Sequence, residues 1–238
     1  MPGFILHMLH GELFLKKCGI QFSDIELKQF KWGLLMPDLY KVKRQKDNGS
    51  HFFSDDQDGK ILQVPDLKSF QYVASMENPF VLGYAAHLYL DKLFFEDYFQ
   101  QYVHFLDTDG NVTLENDRVD SVFLVKSQRH ITVDELFSES YLYGDYTMLN
   151  QFLVKKYDMK LLEKTPVNDP IFQTSQDDQK AISDALEKFL TDSTGSTEMN
   201  VFTVESLEQA LEKYAFGFSQ WLEGVQCALD LSEKEFLC

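Results

Sequence analysis

The chain has 238 residues, of which 44% are hydrophobic and 14% aromatic, and it carries a formal net charge of −16. That composition excludes a disordered polypeptide, and the length allows a sizeable core in one or two domains. The negative field works against nucleic acid and anionic membrane surfaces wherever basic residues do not offset it.

Helical periodicity dominates the pattern, and alternating strand patterns are scarce. A first helix is expected over roughly residues 3–17. A second begins at Ser23-Asp24-Ile25-Glu26, a capping box, and runs to about Leu35, where Met36-Pro37-Asp38 stops it. Residues 36–64 are polar and read as a long surface loop. Asn78 can cap and Pro79 can open a central helix reaching about residue 105. Its first part, Pro79 to Asp91, is apolar on every side, as a helix buried in mid-domain must be.

Asp107-Thr108-Asp109-Gly110-Asn111 breaks the pattern again. It is not a calcium loop, because the glycine comes too early and the later ligands are missing. Asp145 is expected to cap a helix through Tyr157, and residues 164–178 to form a linker with Pro166 and Pro170. Helices from Ser175 to Leu190 and from Thr203 to about Asp230 close the chain. The expected fold is all-α, a multi-helix bundle. Residues 1–160 form the core and residues 161–238 a C-terminal helical extension packed on it. The extension's amphipathic helices suit either a homodimer contact or simple packing.

His87 and Asp91 are four residues apart and share one face of the buried central helix. Both are costly to bury unless they pair with each other or bind a metal. Asp38 follows Pro37 at a helix end, His51 lies in the loop that begins there, and His7 sits on the first helix with His10 one turn on. Imidazole and carboxylate without thiolate suit a catalytic zinc with an open position. Taken singly, each residue also has a plain alternative: Asp38 as a turn cap, His51 as solvated and His7 as packing. The run Lys41-Val42-Lys43-Arg44-Gln45-Lys46 could hold a phosphate or form a solvated loop. His130 and Asp134 make a second pair of the same spacing in a polar segment.

Cys18, Cys227 and Cys238 form neither a Cys-x-x-Cys site nor a disulfide framework, and fit reduced thiols. No secretory signal and no apolar run long enough to span a bilayer is read, so a soluble cytoplasmic protein without stable membrane insertion is expected. Nucleophile-elbow, phosphate-loop, dinucleotide and His-Glu-x-x-His motifs are missing.

Met1-Pro2-Gly3-Phe4-Ile5-Leu6-His7 with Gly11 resembles the start of small bacterial proteins related to zinc-dependent phospholipase C. Gly33-Leu34-Leu35-Met36-Pro37-Asp38 and Gly83-Tyr84-Ala85-Ala86-His87-Leu88-Tyr89-Leu90-Asp91 are similar to that family's Gly…Pro-Asp element and Gly-Tyr-x-x-His-x-x-x-Asp helix. His51 stands where its loop histidine is expected, and Leu142 to Asn150 resembles a segment of the intracellular branch. The likeness covers about residues 1–160. It implies an all-α fold and hydrolysis of a small phosphate ester at a zinc cluster in a cleft between helices. Asp38, His51, His87 and Asp91 would bind one zinc, and His7 would serve an adjacent site that shares Asp91.

The sequence departs from the family after Asp91, where no further histidine follows, while His104 precedes Thr108 and His130 precedes Asp134 at the four-residue spacing. A reduced cluster of one zinc, with a second as an option, is therefore expected, with Asp38 as the base. The alternative is a degenerate relative that binds metal for regulation or interaction. A nuclease fits poorly with the net charge of −16.

Overall fold

Apolar residues on every face of Phe4–Cys18 (α1) and Pro79–Leu93 (α5) require both helices to be enclosed by the rest of the chain. In the computed structural model they are. The structure describes residues 3–46, 49–71, 75–167, 169–171, 173–191 and 198–235, with side chains as far as 225. Met1, Pro2 and Cys238 lie outside the described residues, as does the Cys227 side chain; Cys18 is an exposed free thiol.

Asp24–Gly33 (α2) starts at the expected capping box, with Ser23 N–H donating to Glu26 Oε2 at 2.8 Å and Glu26 N–H to Ser23 Oγ. Its last turn crosses α5 so closely that both contact points must be glycine. A Cβ on Gly33 would lie 2.0 Å from the Phe80 carbonyl oxygen, and one on Gly83 would lie 2.0 Å from that of Phe30. Asn78 caps α5 by accepting from Phe80 N–H at 2.9 Å. The stretch read as a polar loop contains a 3-10 turn, Met36–Asp38, and a short helix, Leu39–Val42 (α3). Leu67–Gln71 (α4) then packs against α5.

The chain is mostly helical, with one addition that the sequence pattern hid. The central helix does not run to residue 105: after Leu93 it passes through a π-helical turn, Phe94–Tyr98, and a 3-10 turn, Phe99–Gln101. Val103–Leu106 (β1), Ser121–Leu124 (β2) and Arg129–Ile131 (β3) form an antiparallel sheet in the order β1-β2-β3. Val103, Phe105, Val122 and Leu124 point into the core, whereas His104 and Phe123 are paired on the other face. Asp107 makes the turn after β1, its Oδ1 accepting from the amides of Asp109 and Asn111 at 3.0 and 2.9 Å.

Val133–Leu136 (α6) leads into Leu142–Tyr157 (α7). Asp145 was expected to cap that helix, but it lies within the first turn and is buried. Its carboxylate instead accepts from the amides of Asn200, Val201 and Phe202 at 2.7–2.8 Å, fixing the entry to the last helix. Gln176–Thr191 (α8) and Val204–Glu235 (α9) follow, with Thr203 Oγ1 accepting from Ser206 N–H at the start of α9. α9 packs along α1 and α5, and α8 against α3 and α7. Among the described residues no helix is long and apolar enough to cross a membrane.

Candidate metal centre

Five side chains named by the sequence meet between α1, α5 and the α2–α3 connection. His7 comes from α1, Asp38 from the end of the 3-10 turn after Pro37, His51 from the loop beyond α3, and His87 and Asp91 from adjacent turns of α5. All four of His7, His51, His87 and Asp91 are 0% exposed, whereas Asp38 is 5% exposed. Asp38 is thus the member of the set through which the centre meets solvent.

The α2–α5 crossing orients His87. Its Nδ1 lies 2.8 Å from the Leu34 carbonyl oxygen, which can only accept, so Nδ1 carries the proton and Nε2 turns inward with its lone pair. Burial first, and then the charge of His7, pushes the His87 pKa down to about 4, so the ring is neutral at neutral pH. His51 is held in the same way. Ser50 Oγ donates to the Pro37 carbonyl at 2.9 Å, which leaves the hydroxyl to accept from His51 Nδ1 at 3.1 Å. Tyr84, one turn before His87, donates to the Ser50 carbonyl at 2.6 Å and ties this loop to α5.

The inward atoms have the spacing of a coordination shell. His51 Nε2 lies 3.3 Å from His87 Nε2, 3.3 Å from Asp38 Oδ1 and 3.4 Å from Asp91 Oδ2. His87 Nε2 lies 3.6 Å from Asp91 Oδ2 and 3.9 Å from Asp38 Oδ1. A tetrahedral ion with bonds of about 2.0–2.2 Å has ligand–ligand edges of about 3.3–3.6 Å. Four of the five distances match, and the fifth is a few tenths of an ångström long.

Electrostatics point the same way. Burial would raise Asp91, but the surrounding imidazoles of His87, His51 and His7 outweigh it and hold the carboxyl well below its usual range. Burial likewise opposes ionisation of Asp38, and Lys41, paired with it, together with His51 and His87 keeps it ionised. For His51, burial is outweighed by the attraction of the adjacent Asp38 and Asp91 carboxylates, which raise its pKa. The space between these atoms therefore attracts positive charge. Two buried carboxylates balance one dication, and a proton on His51 competes for the same place.

His7 approaches from the far side of Asp91. Its ring stacks on His87 with centroids 3.6 Å apart, and its Nε2 lies 3.3 Å from Asp91 Oδ1. That approach lacks hydrogen-bond alignment, so both His7 nitrogens and both Asp91 oxygens are buried without a hydrogen-bond partner. Such orphaned atoms are what a bound ion would satisfy. His7, His87 and Asp91 form one group, and Asp38, His51 and His87 another, each close enough to hold a metal ion. The groups share His87, whose single inward nitrogen serves one ion.

No family model, curated protein or solved structure matches the chain.

What the centre can do follows from its own donors, all nitrogen and oxygen. The other histidines do not join it. His10 is fully buried one turn beyond His7, and desolvation followed by the charge of His7 lowers its pKa to about 3. His104 and His130 stand on β1 and β3 beside Phe123, and His104 Nε2 is hydrogen-bonded to the Gln100 carbonyl. Lys41 and Ser50 belong to the centre and had partial sequence signals, a basic run and adjacency to His51. The Leu34 carbonyl had none, since a backbone atom leaves no trace in residue types.

Proposed function

We propose that the chain is a zinc-dependent hydrolase of phosphate esters, with one ion held by Asp38, His51, His87 and Asp91 and a second position beside His7 and Asp91. The observation that supports this reading most is that His51 Nε2 lies within 3.3–3.4 Å of three other inward donor atoms, His87 Nε2, Asp38 Oδ1 and Asp91 Oδ2. A zinc ion bound there would acidify water and polarise a phosphoryl oxygen.

The remaining work falls to the side chains. Leu34 and Ser50 keep the His87 and His51 tautomers with Nε2 inward. Asp38, at the solvent edge, accepts the proton of the attacking water. Lys41, beside Asp38, offers an ammonium to a phosphoryl oxygen. His7 buttresses Asp91 from behind.

The test is turnover of bis-p-nitrophenyl phosphate by the zinc-loaded chain, with His51→Ala as comparison. The expected loss in His51→Ala is on the order of a hundredfold or more. Equal rates in the two proteins would remove the hydrolytic reading. A metal-binding regulatory protein is the second reading, favoured by the near-complete burial of the centre and by His104 and His130 standing apart from it. Bound zinc without turnover supports that alternative.

A further inference from the structure

The centre opens at Asp38 onto a groove of about 580 Å³ between the start of α1, α3 and α8. That size is ordinary for a small-molecule site. Resting on the hydrolytic reading above, we infer that this groove is an anion-binding subsite in which Lys188 and Lys41 hold the phosphate of a dianionic monoester, making Lys188 a specificity-determining residue.

Lys188 is placed by packing that does not involve it. Ile182 and Leu186 are buried on the inner side of α8, and Phe4 meets Phe189 edge-on with centroids 5.8 Å apart. The Lys43–Asp178 ion pair pins the start of α8 to the chain just beyond α3. Lys188 itself is exposed on the groove wall and has no carboxylate partner among the described residues. Asp184, one turn back on the same wall, is taken by Lys180. Lys41 reaches the groove from the opposite side, beside Asp38. α1 begins here too, with no acidic residue in its first turn and no side-chain cap on its amides, so its dipole adds to the positive end.

In a chain of net charge −16, the groove beside the centre is charge-balanced: Lys41 and Lys188 line it with Asp38 and Asp184, and each of those carboxylates is already paired with a lysine. The Lys188 ammonium, facing the Lys41–Asp38 pair across the groove, favours a phosphate monoester, whose second ionisation lies near pH 6, over a singly charged diester. Phe4, Val42 and Phe189 give the rest of the groove an apolar surface for the alcohol part of the ester.

The experiment titrates inorganic phosphate into the zinc-loaded full chain, cleared of free zinc, for wild type, Lys188→Glu and Lys188→Arg. It then compares KM for p-nitrophenyl phosphate and bis-p-nitrophenyl phosphate. The expected result is one phosphate per chain, bound about tenfold or more weakly by Lys188→Glu and nearly normally by Lys188→Arg, with zinc content unchanged. KM for the monoester should rise more than kcat falls, and more than KM for the diester. Unchanged phosphate affinity in Lys188→Glu, or no phosphate binding by wild type, would overturn the inference. Lys188-dependent phosphate binding in a chain that turns over neither ester keeps the subsite and removes hydrolysis. Turnover of both esters indifferent to Lys188 does the reverse.

Discussion

Gly83→Ala is expected to destabilise the fold by at least about 3 kcal/mol. In an ordinary helix the same change would gain up to about 1 kcal/mol from propensity. Here the new Cβ would sit 2.0 Å from the Phe30 carbonyl oxygen and 3.1 Å from the Leu34 amide, both backbone atoms that no rotamer change can move. α2 and α5 must separate, so overpacking outweighs propensity. Separation also draws the Leu34 carbonyl away from His87 Nδ1, now 2.8 Å distant, so zinc retention should fall along with stability. Urea unfolding at neutral pH measures the first effect and metal analysis the second. Gly224→Ala is the control, since nothing lies within 4 Å of its Cβ position and α9 should gain slightly.

The second large effect is the response to metal. Zinc at a hundred times its dissociation constant stabilises a binding protein by about 2.7 kcal/mol, roughly 5–10 °C in Tm for a chain of this size. Wild type should show that rise on adding zinc and lose it on adding a chelator. His87→Ala should show neither. It should also start about 2–4 kcal/mol less stable, because the buried Leu34 carbonyl and the stacked face of His7 lose their partner.

The zinc response should shrink on acidification. His51 has a raised pKa, so its proton is bound more tightly than in the unfolded chain and competes with the ion as pH falls through the neutral range. Superimposable melting curves with zinc and with chelator would contradict this account.

Much of the site was legible because its signals are local. Ser23 with Glu26, Asn78 with Pro79, and His87 with Asp91 each declare themselves within four residues. Asp38 and His51 were legible through their position after Pro37 and within the loop, and the structure brings both to α5. The sheet was not legible. Phe94 to Tyr102 continue the aromatic pattern of α5 without a proline or glycine, so nothing in the sequence marks the end of the helical turns before the short strand Val103–Leu106. Asp145 was misread because a carboxylate near a helix start suggests a cap, whereas its true donors are about fifty-five residues away in sequence. Lys188 carried no signal, since its meaning depends on α8 folding back beside α3.

The central proposition is that Asp38, His51, His87 and Asp91 surround one divalent cation. Elemental analysis of the full chain, purified without chelators, tests it most directly. The account predicts about one equivalent of zinc per wild-type chain and almost none in His87→Ala. A folded wild-type protein that stays metal-free, even after incubation with zinc, would contradict it.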